Sequence, residues 1–103
     1  YKEYIMIKMI EDIPKAELQT YLDILLDTSA QDILTDSEMM NTAEEFLNNS
    51  LNISETSRHL YMHRNTLMYR LDKIERSMGL NIRRFSDAVT FRIIMVLYKY
   101  LKH

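Results

Sequence analysis

Between residues 58 and 73 the chain concentrates side chains that can form hydrogen bonds with nucleic-acid groups. They are Arg58, His63, Arg64, Asn65, Thr66, Tyr69, Arg70 and Lys73. An Arg can bond two acceptors of one guanine and an Asn can pair with two atoms of adenine, whereas Thr, Tyr and Lys suit phosphate oxygens. The alternative interpretation is a solvated helix surface that contacts no ligand. The choice depends on how the neighbouring elements would orient these residues.

Two short helical patterns meet here with almost nothing between them. One covers about 54–60, the other about 64–77, and Tyr61, Met62 and His63 separate them. The apolar positions of the region are Ile53, Leu60, Met62, Leu67, Leu71 and Ile74. The last three recur at helical spacing, so we expect them to pack inward and the polar residues to face outward. A break followed by an outward polar helix is typical of a helix-turn-helix, whose second helix lies in the DNA major groove.

Charge is divided unevenly along the chain, although the net value is only −2. Residues 1–53 contain three Lys against eleven acidic residues, or 3 − 11 = −8, and residues 54–103 contain ten Lys and Arg against four, or 10 − 4 = +6. All seven Arg lie in the second part. Basic stripes attract phosphates, although charge also drifts by chance along solvated helix faces.

Composition favours one all-α domain without catalytic chemistry. The chain has 103 residues with a single Gly and a single Pro, which argues against hairpins. Having no Cys, it has no disulfide or thiolate site, which fits a cytoplasmic protein. The break between His59 and His63 spoils their spacing for a metal. No catalytic constellation and no Gly-rich phosphate loop occur in the sequence, so we expect no metal, no cofactor and no enzyme. No apolar run is long enough to span a membrane, and the first residue, Tyr1, leads us to expect a domain excised from a longer chain.

Helical periodicity predicts a small domain of five to six helices. We expect the first at about 3–12, where a strand is the alternative, the second from Pro14 and the third ending near Asn48. Residues 28–34 are expected to form a loop. The inward positions of the second and third helices are expected to be Leu18, Tyr21, Leu22, Leu25, Leu26, Met39, Met40, Ala43, Phe46 and Leu47. The residues expected at helix boundaries are Thr35 with Glu38 as a capping box, Ser54, Gly79, and Ser86 or Asp87.

The last helix contains an apolar run, Ile93–Leu97, that has no polar side. Either the N-terminal helices cover it or it forms a homodimer interface, since dimers that read two half-sites are usual for this motif. We therefore expect one domain over residues 1–103. Its bracing helices would occupy 1–34, the helix-turn-helix core 35–78, and the C-terminal helix with a dimer contact 79–103.

The segment around the break resembles the C-terminal helix-turn-helix domain of the PucR/CdaR family of bacterial transcriptional regulators. The residues that carry the resemblance are His63, Arg64, Asn65, Thr66, Leu67, Tyr69, Arg70, Leu71, Lys73, Ile74, Glu75 and Gly79. It covers about residues 43–98, and the chain is more distantly similar to the C-terminal helix-turn-helix module of Fis. The resemblance implies an all-α domain that binds double-stranded DNA sequence-specifically. It also implies that any effector is bound by a separate upstream region.

The roles expected within this site follow from position. The helix from about Arg64 would enter the major groove with its early residues at base edges. The residues expected to hold phosphates are Arg58, Tyr69, Lys73 and Arg76. Tyr61 occupies the position just before the second helix where Gly is usual, so we expect a somewhat different turn, with Tyr61 packed or at the DNA backbone. Two other classes of function stay open. One is a scaffold whose Arg-rich face binds an acidic protein, and the other is a purely dimerising scaffold.

Overall fold

A computed structural model of the protein describes residues 2–26 and 31–102. Over these residues the chain forms seven helices and no strand, which confirms the all-α class. The helices are α1 Lys2–Glu11, α2 Lys15–Leu25, α3 Gln31–Leu34, α4 Ser37–Asn48, α5 Ile53–His59, α6 Arg64–Met78 and α7 Phe85–Lys102. The sequence predicted the positions of all of them except α3.

The loop predicted for residues 28–34 is wrong where the structure describes it, because residues 31–34 form the single turn α3. Residues 28–30 lie outside the described part of the chain. Ile33 and Leu34 are buried, and α3 packs against both α4 and α6. One turn is too short to show a helical period, so its formation depends on these tertiary contacts.

Two helices are capped by residues other than those predicted. Asp36, and not Thr35, caps α4, since its carboxylate accepts hydrogen bonds from the backbone N–H groups of Glu38 and Met39 at 3.1 and 3.2 Å. Asn52, two residues before Ser54, caps α5 in the same way. Asp and Asn are at least as good caps as Thr and Ser, so both helices begin after a residue that caps well.

The beginning of α7 also differs from the prediction, and the end of α6 agrees with it. Ser86 and Asp87 lie inside the first turn of α7, which begins at Phe85. The Asp87 carboxylate accepts a hydrogen bond from the backbone N–H of Asn81 and so holds the preceding loop. Gly79 is the left-handed cap expected after α6, with φ 71°.

The core forms where α4 and α6 pack together and α2 packs on α7. Every inward position predicted for α4 is buried except Leu47, which is half-buried against the core. In α2 only Leu18 and Leu22 are fully buried. The prediction that Tyr21 and Leu25 also face the core is wrong, because both side chains remain exposed.

The apolar run of α7 is mostly covered within the protomer. Ile94, Met95 and Leu97 are buried in the core, whereas Ile93 is exposed. The packing of the N-terminal helices therefore accounts for three of the five apolar residues in the run.

The cap of α4 provides a direct test of the fold. We expect Asp36→Ala to lower the free energy of unfolding by about 1 kcal/mol, because two N–H groups of the first turn lose their acceptor. Asp36→Asn keeps an acceptor oxygen and is the matched control, expected to unfold close to wild type. Urea denaturation measures both, and equal losses in the two variants would contradict the capping role.

Candidate nucleic-acid interface

The break between α5 and α6 is a tight turn stabilised by backbone hydrogen bonds. The N–H of Met62 donates to the carbonyl of Ser57 at 3.1 Å, and the N–H of Tyr61 donates to the carbonyl of Arg58 at 3.2 Å. This pair of bonds is the Schellman arrangement, in which the residue after the cap is left-handed. Met62 then packs against the core, so the chain turns sharply into α6.

The somewhat different turn predicted for Tyr61 is wrong. Tyr61 has φ 51°, the left-handed conformation that Gly usually supplies at this position. Its side chain is 96% exposed and therefore not packed on the protein. The left-handed conformation costs a non-Gly residue about 1–2 kcal/mol, and the two backbone bonds together with the packing of Met62 offset that cost.

Helix α6 has one buried and one exposed face. Leu67, Leu71 and Ile74 are buried as predicted. The side chains exposed on the opposite face are Asn65, Thr66, Tyr69, Lys73 and Arg76. Their spacing of three and four residues forms a continuous row along the helix.

His63 caps the N-terminus of α6. Its Nδ1 accepts a hydrogen bond from the backbone N–H of Asn65 at 3.0 Å, so in the neutral imidazole the hydrogen is on Nε2. Nδ1 is therefore occupied by the helix N-terminus, and the exposed ring offers Nε2–H as a hydrogen-bond donor beside Arg64.

Arg70 does not extend into solvent with the other polar residues of α6. Its side chain is 24% exposed and donates to the Thr42 hydroxyl of α4 at 2.9 Å, with Glu38 at 3.5 Å. The prediction that it lies on the outward side is wrong, because Arg70 follows Leu67 by three residues and precedes Ile74 by four. That spacing places it at the edge of the buried face, where α4 is within reach.

Both acidic side chains of α6 are neutralised by one Arg from outside the helix. Arg83, in the loop before α7, lies 2.8 Å from the Asp72 carboxylate and 3.3 Å from that of Glu75. These ion pairs leave the basic residues of α6 without an acidic competitor from their own helix.

Several cations of the helix-turn-helix region are free of acidic partners. In the described part of the chain, Arg64, Lys73 and Arg84 form no ion pair. The Arg76 guanidinium lies 5.9 Å from the centre of the Tyr69 ring. Arg58 is paired with Glu55 on its own helix, so it would have to exchange that partner to bind an anion.

The described residues contain neither a cluster of metal ligands nor a helix that could span a membrane. No group of three or more His, Cys, Asp or Glu side chains able to hold a metal ion occurs within 2–26 and 31–102. Over that same part of the chain, every helix is too short or too polar to cross a membrane.

The short α5, the tight turn and the exposed polar face of α6 define a helix-turn-helix domain. The chain matches the family model of the PucR C-terminal helix-turn-helix domain over residues 39–97, which include α5 and α6 entirely. The chain belongs to this family of domains from DNA-binding transcriptional regulators. The resemblance seen in the sequence is thereby confirmed.

Curated relatives share part of their length with the chain. The purine catabolism regulatory protein of Bacillus subtilis (strain 168) is 27% identical over 88 residues, which are 85% of this chain and 17% of that protein. The uncharacterised protein YxkF of the same organism is 39% identical over 70 residues, which are 66% of this chain and 23% of that protein. The chain thus spans about a fifth of the length of these relatives. No solved structure matches it.

The turn makes a prediction about stability. We expect the free energy of unfolding of Tyr61→Gly to be about 1 kcal/mol higher than that of Tyr61→Ala, because only Gly adopts the left-handed conformation without steric cost. Neither variant loses packing, since the Tyr61 side chain is exposed, so Ala is a fair control. Urea denaturation of both variants measures the difference. If Ala were as stable as Gly, residue 61 would not be left-handed in solution.

Proposed function

We propose that the chain binds double-stranded DNA sequence-specifically through α6, as the C-terminal domain of a cytoplasmic bacterial transcriptional regulator. The observation that carries the proposal is the exposed polar row of α6, which begins beside Arg64 and has no acidic competitor on its own helix. A helix of this kind fits the major groove, with its N-terminal residues at base edges. Any effector would bind another region of the longer protein.

The residues of the interface divide into two groups in this proposal. Those near the start of α6, His63, Arg64, Asn65 and Thr66, face the base edges, where Arg prefers guanine and Asn prefers adenine. Those expected at phosphates are Arg58, Tyr61, Tyr69, Lys73 and Arg76. With four to six phosphates contacted, log affinity would fall with log salt at a slope of about −4 to −5.

The rival proposal is a scaffold that binds an acidic protein through the same basic residues. It predicts no saturable, sequence-sensitive binding to duplex DNA at physiological salt. Family membership favours DNA, since the family is one of regulator DNA-binding domains. The presence of Asn65 and Thr66 beside Arg64 also favours DNA, because a surface for acidic partners needs cations alone, whereas base edges require both donors and acceptors.

Selection of bound duplexes from a random DNA pool tests the proposal. The chain, fused to a dimerising module, is expected to enrich a motif, and Arg64→Ala is expected to relax that motif and cost about 1–3 kcal/mol of binding. Lys8→Ala is the matched control, since it removes one positive charge from α1, outside the helix-turn-helix. We expect it to leave the motif unchanged. Bulk, salt-sensitive binding without a motif would favour the rival proposal.

We also propose that two copies associate, because one helix-turn-helix reads few base pairs and a two-fold pair reads two half-sites. The surface is a stripe on α7 made by Phe85, Val89 and Ile93, which are exposed and spaced four residues apart. The stripe borders a groove of about 530 Å³ that Met6 of α1 and Leu47 of α4 also line. The proposed surface therefore differs from the run Ile93–Leu97, most of which is buried inside the protomer.

Introducing a charged side chain into this stripe tests the proposed dimer. Val89→Glu is expected to convert a dimer to a monomer, because a carboxylate would be buried against apolar groups without a partner. Ser86→Glu places the same charge at an exposed polar position of α7 and is expected to leave the dimer intact. Light scattering over a concentration series measures the mass of each. A wild-type monomer at every concentration would contradict the dimer while leaving DNA binding untouched.

A further inference from the structure

We infer that Arg70 is a positioning residue of the recognition surface: through the buried hydroxyl of Thr42 it sets the orientation of α6 on α4, and does not itself hold DNA. The inference rests on the proposed DNA-binding function. By this inference, the sequence specificity of α6 depends in part on Thr42, a fully buried residue of α4.

The direction of the Arg70–Thr42 hydrogen bond is determined by a second bond of the same hydroxyl. Thr42 Oγ1 donates its only hydrogen to the backbone carbonyl of Glu38 at 2.8 Å. Its lone pairs can therefore only accept, and Arg70 Nη1 is the donor at 2.9 Å. Because Thr42 is 0% exposed, water has no access to this oxygen, and removing Arg70 would leave a buried acceptor position empty.

The apolar contacts between α6 and α4 have no comparable direction. Leu67, Leu71 and Ile74 share a core with Phe46 and Ala43, and apolar burial depends on area more than on orientation. A hydrogen bond weakens steeply when its angle changes, so the Arg70–Thr42 bond limits rotation of α6 about its axis. A rotation of about 20° would move side-chain ends at a radius of 5–6 Å by roughly 2 Å, enough to lose a base contact.

Two observations weigh against a direct phosphate contact by Arg70. Its Nη2 lies 3.5 Å from the Glu38 carboxylate, which opposes the approach of a second anion. The cations expected at phosphates, Lys73 and Arg76, have no such acidic neighbour and are exposed. Arg70 is thus the basic residue of α6 whose position is already determined by the protein.

The test compares variants that change the bond from each side. Thr42→Val is nearly isosteric and removes only the hydroxyl, and Arg70→Met keeps an unbranched chain without the donor. We expect each to lower the ratio of specific to non-specific DNA affinity about tenfold. The double variant is expected to be no worse than either single one, because both remove the same bond. Thr42→Ser keeps a hydroxyl and is expected to restore the wild-type ratio.

The salt dependence of binding separates positioning from contact. A residue that holds a phosphate contributes about −0.9 to the slope of log affinity against log salt. We expect the slopes of Thr42→Val and Arg70→Met to equal that of wild type. A slope shallower by about 0.9 in Arg70→Met, with Thr42→Val unchanged in specificity, would overturn the inference and make Arg70 a phosphate ligand. Independent, additive losses in the double variant would overturn it as well.

The same titrations distinguish failure of this inference from failure of the proposed function. One outcome is that wild type binds a selected site well above random DNA while the variants show a shallower salt slope or additive losses. In that case the proposed DNA binding is supported and the positioning role is wrong. If wild type shows no preference for any sequence, the proposed function is wrong and the positioning role with it.

Discussion

The constraint on which the site depends is that α6 must be held firmly by one face so that the other remains free. Leu67, Leu71 and Ile74 are buried against the core around Phe46, and each such side chain contributes about 1.5–3 kcal/mol when fully buried. The turn at Tyr61 directs the helix onto that core. The exposed row on the opposite face follows from this packing, since residues three and four apart share a side of the helix.

Ion pairs between residues far apart in the sequence also support this arrangement. The acidic part of the chain supplies α4, whose Glu38 lies beside Arg70, whereas Arg83 covers the two carboxylates of α6. Basic residues that have no partner therefore lie on the exposed face, where phosphates can approach. A net charge of −2 is compatible with a local basic surface, because most of the acidic residues lie in the first half of the chain.

Local patterns predicted most of the fold, and the errors have identifiable causes. Helical spacing in α4 and α6 identified the buried faces correctly, because long amphipathic helices repeat the signal several times. The caps were misplaced by one or two residues since several polar residues compete at each helix start, as Asp36 and Thr35 show. α3 was missed because a single turn has no period of its own, and the exposure of Tyr21 could not be foreseen without knowing which side of α2 packs on α7.

The all-α class and the polar face of α6 could be predicted from the sequence, because they depend on residue type and on spacing within one helix. The family could be predicted from the resemblance of the segment around the break. Tertiary structure alone decided that Arg70 faces α4 and that Tyr61 is left-handed and exposed. Arg70 and Thr42 are 28 residues apart, and a side chain at the edge of a helix face turns toward whichever partner the fold brings near. For the same reason only the packed structure shows which cations lack an acidic neighbour and remain free to bind DNA.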